Sequence, residues 1–334
     1  MMKAKILKYL RQAGEEFVSG QALCERLGVS RQAVWKNITQ LKEAGFGIES
    51  VSNKGYHLVK TPDMLYGPDI ESMLLEQGCC KKVECHQQID STNTRAKQLA
   101  ELGEPEGTLV VADEQTAGKG RRGRSFLSEL GGGTYFTLLL RPDVRPQEVS
   151  CITLLAAMAV AKGVRMVTEM EPQIKWPNDV ILSGKKMCGI LTETSSEMDY
   201  IHYVVVGIGV NANTKTFPEE LRDKATSLYM ESGEKVDRDW LTAAIVNSFS
   251  FYYEKYLQTK DLSRLLEEYD SMLVNKDREV QILFGMAEQA DPDKIQQGIA
   301  RGINADGALL VETEEGIVPV VSGEVSVRGV YGYI

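Results

Sequence analysis

The chain has 334 residues, 43% of them hydrophobic and 25% charged, which is length enough for two or three domains with cores of their own and a composition ordinary for globular proteins. Its net charge of −9 is unevenly spread: residues 1–60 hold ten Lys/Arg against five Asp/Glu, whereas the remainder is strongly acidic. A basic head on an acidic body excludes a uniformly nucleic-acid-coating protein and points to nucleic acid at one end. The longest apolar run, residues 151–161, is too short for a membrane span and reads as a buried helix. The N-terminus interleaves Lys3, Lys5 and Lys8 with its apolar residues and lacks a signal-peptide core, so a cytoplasmic protein is expected.

Residues 1–60 read as three helices and a hairpin. Ile6, Leu7 and Leu10 form a first apolar stripe. Ser19 caps a second helix that Gly28 breaks, and Ser30 caps a third with Val34, Ile38 and Leu41 facing inward. The outer face of this third helix carries Arg31, Gln32, Lys36, Asn37 and Gln40, side chains of the types that reach base edges in the major groove. Residues 52–56, with Lys54, form the tip of a β wing. A solvated helix face would need no basic excess, so DNA binding is favoured; winged domains that bind protein are the alternative.

Thr61-Pro62 starts a linker, followed by a short helix at 69–75. Cys79, Cys80, Cys85 and His86 crowd together without a paired C-x-x-C, a pattern that predicts no metal site. Asp90-Ser91-Thr92-Asn93-Thr94 precedes a helical run at 95–101, with Ser91 or Thr92 as its cap. A strand ending at Ala112 leads through Gln115 into Gly118-Lys119-Gly120-Arg121-Arg122-Gly123-Arg124. Four cations in seven residues repel one another unless an anion sits among them, and the glycines let backbone approach it.

These glycines also match G-x-G-x-x-G, and Asp143 follows at about the 20-residue spacing of the dinucleotide fingerprint. The intervening residues, three glycines at 131–133 and an apolar run at 134–140, leave no room for the crossover helix that fingerprint needs, so the match is accidental.

A strand at 134–140 and a helix over 149–169 lead to Lys175-Trp176-Pro177-Asn178-Asp179 and, after a turn, Lys185-Lys186-Met187-Cys188-Gly189. Charges of both signs beside a strand are costly to bury without a ligand. Strands at 187–192 and 203–210 follow, the latter ending in a permissive loop at Gly207-Ile208-Gly209-Val210-Asn211. Residues 212–239 are polar and read as a loop closing on a ligand. Trp240 opens a helical stretch running to about 273 and is expected in the core. From Glu279 the pattern turns to short strands separated by Asp306-Gly307 and Glu315-Gly316, most economically a small β-barrel.

The glycine–arginine loop and the Lys-Trp-Pro-Asn-Asp segment together closely resemble the biotin–protein ligases, and the basic head extends the likeness to the family's bifunctional ligase/repressors. The resemblance implies an α+β chain with a winged helix-turn-helix domain at 1–62, a class II synthetase-like mixed-sheet catalytic domain at 63–275 and an SH3-like β-barrel at 276–334, for which Ser322-Gly323-Glu324-Val325-Ser326 is a typical ending. It carries over Ser91, Thr92, Asn93 and Gln115 as biotin-ring ligands, with Lys119, Gly120, Arg121, Arg122 and Gly123 around the biotin and Lys186 beside its carboxylate. Phe126, Lys175, Asn178 and Asn211, with Arg121, fall to ATP and the adenylate. Lys119 replaces the family's usual arginine. Ala225 stands where one member stacks adenine on tryptophan.

The implied chemistry transfers AMP from ATP to biotin, with Mg²⁺, and then passes the biotinyl group to a lysine of a biotin carboxyl carrier protein. Lys186 and Arg121 are the expected catalytic cations, because two anions must be brought together. Asp179 is expected either to help hold Mg²⁺ or to orient the incoming amine; Lys185 is expected to be a solvated turn residue. The resemblance further implies biotinyl-adenylate as corepressor, a homodimer in that state, and operator DNA as partner, with no membrane. A lipoate-type adenylating ligase and a ligand-sensing DNA-binding protein without transferase activity are the alternatives.

Overall fold

The computed structural model describes residues 2–284, 295–322 and 325–329. The N-terminal head comprises α1 (Met2–Gln12), α2 (Gly20–Leu27), α3 (Arg31–Glu43) and the antiparallel hairpin β1 (Gly47–Val51) and β2 (Gly55–Lys60). Its helix starts are set by hydroxyl caps: Ser19 Oγ accepts from the Ala22 amide and Ser30 Oγ from that of Ala33. Gly28 ends α2 at a φ of 67°, a conformation open to glycine at little cost. Ile6, Leu7, Leu10, Leu23, Val34, Ile38 and Leu41 close a core separate from that of the body.

The body is built on a seven-stranded mixed sheet. Its strands are β3 (Lys82–Ile89), β4 (Thr108–Gln115), β5 (Gly133–Leu140), β6 (Gln173–Lys175), β7 (Asp179–Leu182), β8 (Lys185–Ser196) and β9 (Ile201–Asn211), in the spatial order β3-β4-β5-β9-β8-β7-β6. Only β3 and β4 run parallel; every other pair is antiparallel. The period of two divides each strand between two faces. Leu109, Val111, Phe136, Leu138, Val204, Val206 and Ile208 join the main core with α6 (Ser150–Thr168) and α8 (Arg238–Thr259). Val110, Leu139 and Val205 point the other way and pack on Ala96, Leu99 and Ala100 of α5 (Thr92–Glu101).

Helix α6 is long and apolar enough to cross a bilayer, but it is largely buried among the other elements. A helix apolar on all sides is a core helix, and the sheet and α8 flank this one. Trp240, expected in the core, is 42% exposed. Arg238, Asp239 and Leu241 take the inward face of α8, which leaves Trp240 on its outward face. Buried Arg238 pairs with Asp113 and donates to the Gly133 carbonyl at 2.9 Å. The polar stretch expected as a closing loop contains a short helix, α7 (Leu228–Ser232), and its residues 224–226 are hydrogen-bonded to strand β8.

The head and body meet through α4 (Gly67–Met73), which packs on α1. Arg11 reaches Asp69 through two bonds, Nε to Oδ1 at 3.1 Å and Nη2 to Oδ2 at 2.7 Å. The Tyr66 amide donates to both carboxylate oxygens of Asp239.

After α9 (Leu266–Met272), the strands β10 (Glu279–Phe284), β11 (Ile295–Ile303), β12 (Leu309–Thr313), β13 (Gly316–Val320) and β14 (Val325–Gly329) pair antiparallel in the order β13-β12-β11-β10-β14. Among the described residues no pairing joins β13 to β14, so these strands form a five-stranded sheet and not the closed barrel expected. Gly323 and Glu324 of the expected terminal motif lie outside the described residues. The buried Trp176 indole ties this sheet to the body, donating to the Gly307 carbonyl at 3.0 Å. Cys79, Cys80 and Cys85 are packed against the main core, where burial pushes their thiols up to about 11, 12 and 12.

Candidate active site

The α5 face of the sheet carries the site. Along β9 the residues on this face are Val205, Gly207 and Gly209, and along β8 Gly189, Leu191 and Glu193. Val205 is covered by α5, but beyond it the side chains of β9 stop and an open cavity begins. Its floor must be glycine: a Cβ on Gly209 would lie 2.6 Å from the Phe126 ring, and one on Gly207 2.0 Å from Asn93 Oδ1. These two glycines, expected in a loop after the strand, sit within β9, which continues to Asn211.

One end of the cavity is polar and internally bonded. Ser91 caps α5, its Oγ accepting from the Thr94 amide at 3.5 Å, and so places Thr92 and Asn93 at the cavity wall. Gln115, at the end of β4, accepts through Oε1 from the Thr92 amide at 2.9 Å and from its hydroxyl at 3.1 Å. Gln115 Nε2 donates to Ser128 Oγ at 2.9 Å. Thr137, from β5, lies 2.8 Å from Thr92 Oγ1 and 2.7 Å from Asn93 Oδ1.

The other end is cationic. Residues 118–126 form a tight hairpin: Gly120 N donates to the Arg124 carbonyl at 2.7 Å and Phe126 N to that of Gly118 at 3.0 Å. Arg122 sits at its tip with a φ of 58°, in the left-handed region. The hairpin brings Lys119, Gly120, Arg121 and Phe126 to the cavity, and Arg121 Nη1 donates to Asn178 Oδ1 at 2.9 Å. The two motifs that stood far apart in sequence are thereby joined by one bond. Burial, with Arg122 beside it, lowers the pKa of the Arg121 guanidinium, opposed by Asp179. A desolvated cation crowded by another gains most from an anionic ligand.

Lys186 reaches the same cavity from β8, its Nζ 2.6 Å from Asp179 Oδ1. Its backbone is clamped on both sides, the amide donating to the Lys224 carbonyl at 2.8 Å and the carbonyl accepting from Thr226 at 2.9 Å. Ala225 thus lies bridged to Lys186, at the edge where an adenine was expected.

Several expected residues lie elsewhere. Arg122 and Gly123 are exposed on the outside of the hairpin. Lys175 is buried opposite Asp179 in the β6–β7 register. Asn211 is buried, and its amide donates to the Thr226 carbonyl at 3.1 Å, anchoring the segment that clamps Lys186. Lys185, expected as a solvated turn residue, is the first residue of β8 and donates to the Arg222 carbonyl at 3.0 Å. Sequence reasoning missed Thr137, Glu193 and the glycine floor; the G-x-G within an otherwise β-branched strand was the available signal for the floor.

On the head, Arg31, Gln32 and Lys36 are exposed along α3, and Lys54 stands at the wing turn over the Phe17 ring. Asn37 is half-buried and donates to the Ala33 carbonyl at 2.8 Å, so its amide is turned onto its own helix; Gln40 is likewise half-buried. Trp35, passed over in the sequence, is 60% exposed on the same helix face.

A helix-turn-helix head joined to a mixed sheet, with a small-ligand cavity walled by cations at one end and amides at the other, defines a DNA-binding, anion-handling enzyme. The biotin/lipoate A/B protein ligase family pattern matches residues 85–211, a helix-turn-helix domain pattern matches 3–57, and the biotin protein ligase C-terminal domain pattern matches 289–328. The chain is 39% identical over 328 residues to the bifunctional ligase/repressor BirA of Bacillus subtilis, covering 97% of this chain and 98% of that one. It is 31% identical to BirA of Escherichia coli over 95% of this chain and 94% of that one. Among solved structures, the biotin protein ligase of Aquifex aeolicus in complex with biotin and ATP superposes with a TM-score of 0.64 at 32% identity, covering 75% of this chain and 99% of that chain. The chain belongs to the biotin–protein ligase family, in the branch that joins ligase and repressor in one polypeptide.

Proposed function

We propose that the cavity binds biotin with its ureido ring at Ser91, Thr92, Asn93 and Gln115 and its carboxylate toward Lys186, and that ATP enters over Phe126 with its phosphates between Arg121 and Lys186. The observation that carries this reading is that Arg121 and Lys186, from distant motifs, reach one cavity whose other end is an amide-and-hydroxyl cluster. A solved relative that holds biotin and ATP together supports it.

Biotin and ATP are the small molecules of the ligase, a biotin carboxyl carrier protein is its acceptor, and DNA is the partner of the head. A free carboxylic acid is a poor acyl donor because hydroxide leaves badly. The biotin carboxylate therefore attacks the α-phosphorus of ATP, expelling diphosphate and forming a mixed anhydride. The neutral amine of the carrier lysine then attacks the acyl carbon, and AMP leaves with the bond pair. Lys186 bridges the two anions and Arg121 screens the phosphate charge, so their repulsion is offset at the moment of approach. Asp179 holds Lys186 in place, and its carboxylate would hold Mg²⁺ bound with ATP, a fit to the usual one or two carboxylates plus substrate phosphates. The alternative role for this carboxylate is to orient the incoming amine in the transfer step.

The domain division proposed is 1–62, 63–275 and 276–334, the second class II synthetase-like and the third an SH3-like domain built on the five-stranded C-terminal sheet. Biotinyl-adenylate makes the chain dimerise, so that two heads read two half-sites of an operator. The six cysteines are all unbridged, which fits the cytoplasm.

The test is exchange of labelled diphosphate into ATP with Mg²⁺, comparing biotin with lipoate. Exchange with biotin alone is expected. Exchange with lipoate alone would move the substrate to the other branch, and none with either would leave a ligand sensor.

A further inference from the structure

We propose that Glu193 is a positioning residue that fixes which way round the Asn93 amide stands, so that the cavity presents an acceptor, and no donor, to a ring N–H of its substrate. The proposal rests on the biotin reading above and deepens it.

Asn93 Nδ2 lies 2.8 Å from Glu193 Oε2 and 3.2 Å from the Leu191 carbonyl. Both neighbours are acceptors, and a flipped amide would set its own oxygen against a carboxylate and a carbonyl. Both amide hydrogens are thus consumed on that side. The oxygen must face the opposite way, toward Gly207 and Thr137, which offers a hydroxyl at 2.7 Å. One lone pair of Oδ1 remains for a ligand, since Asn93 and Gly207 both line the cavity.

Glu193 is itself held in the ionised state. Burial works against the charge, but the Lys97 ammonium at 2.7 Å and the Asn93 amide bring its pKa below the ordinary value. Register alone places it there: on β8 it follows Gly189 and Leu191 on the site face, and it lies just beyond the cavity wall. A cyclic urea carries N–H groups suited to such an acceptor; a dithiolane ring carries none.

The test measures diphosphate exchange with biotin and ATP varied separately in the wild type, Glu193→Ala, Glu193→Gln and Lys97→Met. Glu193→Ala is expected to raise KM for biotin about tenfold, the scale of one hydrogen bond, with kcat and KM for ATP within about twofold. Glu193→Gln keeps an acceptor oxygen and is expected within about twofold to threefold of wild type; Lys97→Met keeps the Asn93 bond and is expected to change as little. Biotin N-methylated at the ring nitrogen facing Asn93 is expected to bind far worse than biotin to the wild type, and to lose most of that disadvantage in Glu193→Ala. Should Glu193→Ala not fold, Glu193→Met carries the same measurement. An unmoved biotin KM, an equal loss in kcat and both KM values, or undiminished discrimination against the methylated ring would overturn the assignment. Failure of the wild type itself to exchange with biotin would overturn the biotin reading instead.

Discussion

The cavity and the exposed face of α3 are built on opposite plans. In the cavity nearly every polar side chain is already bonded to a neighbour: Thr92 to Gln115, Asn93 to Glu193, Arg121 to Asn178, Lys186 to Asp179. On α3, Arg31, Gln32, Trp35 and Lys36 stand in solvent. A small ligand has few atoms with which to impose order, so its specificity is laid down beforehand in the protein's own bonds. DNA brings a dense row of phosphates and a long contact, and ordering side chains on arrival is the cheaper arrangement there.

The sharpest way to break the cavity half of this contrast is Lys186→Ala. The Lys186 side chain is 29% exposed and its ammonium is paired with Asp179. The expected loss in diphosphate exchange is on the order of 10²–10³, with a melting temperature close to wild type by calorimetry. Wild-type exchange in this variant would remove Lys186 from the chemistry, and a collapsed melting transition would make it a structural pin.

How much of this was legible in the sequence follows the same divide. Hydroxyl caps, αL glycines and helical stripes act locally, and Ser19, Ser30, Gly28 and the stripe of Val34, Ile38 and Leu41 stand where the periodicity predicted them. The cationic loop and the Lys-Trp-Pro-Asn-Asp segment announced themselves because their charges have no cheap place in a strand-rich core. Long-range register was not legible. That Gly207 and Gly209 form a floor depends on their pairing with β8 and on α5 lying across the same face, neither of which leaves a trace in local spacing. Glu193 read as one acid among many until strand pairing set it against Asn93. Trp240 was misjudged because the inward face of α8 is taken by a charged residue, Arg238, whose burial its Asp113 and Gly133 partners explain.

The other half of the contrast is tested on α3. Arg31→Ala and Lys36→Ala are each expected to weaken binding to a duplex selected from a random-sequence pool by about 5- to 100-fold, the range of a good base contact, while diphosphate exchange stays unchanged. A residue that meets only phosphate lowers affinity for all duplexes alike and reduces the salt slope by about one. The same titration, run with and without biotinyl-adenylate beside analytical ultracentrifugation, is expected to show a dimer and tighter binding only with the adenylate. Equal binding by both variants on every duplex would mean that α3 does not read DNA.

A further test lies at the joint between the two regions. Asp239 is buried, and burial first, then the neighbouring charge of Asp69, pushes its carboxyl up to about 8. The backbone bond from Tyr66 and the Arg238 charge pull it down, while Asp237 adds to the rise. Native Asp239 therefore keeps a proton that the unfolded chain, at an ordinary carboxylate pKa, has released. Between about pH 4 and 8 its contribution to stability falls as pH rises, by at most about 1.4 kcal/mol per pH unit. Asp239→Asn stays neutral and keeps an acceptor for the Tyr66 amide, so in urea unfolding its advantage over wild type is expected to grow from pH 5 to pH 8. Asp69, whose own pKa burial also raises, is coupled to Asp239 through its charge, so the difference between the two curves reports the titration of the pair. Parallel curves would show that the carboxylate is ionised in the native joint, and that Arg238 and Arg11 neutralise this cluster more fully than its burial opposes charge.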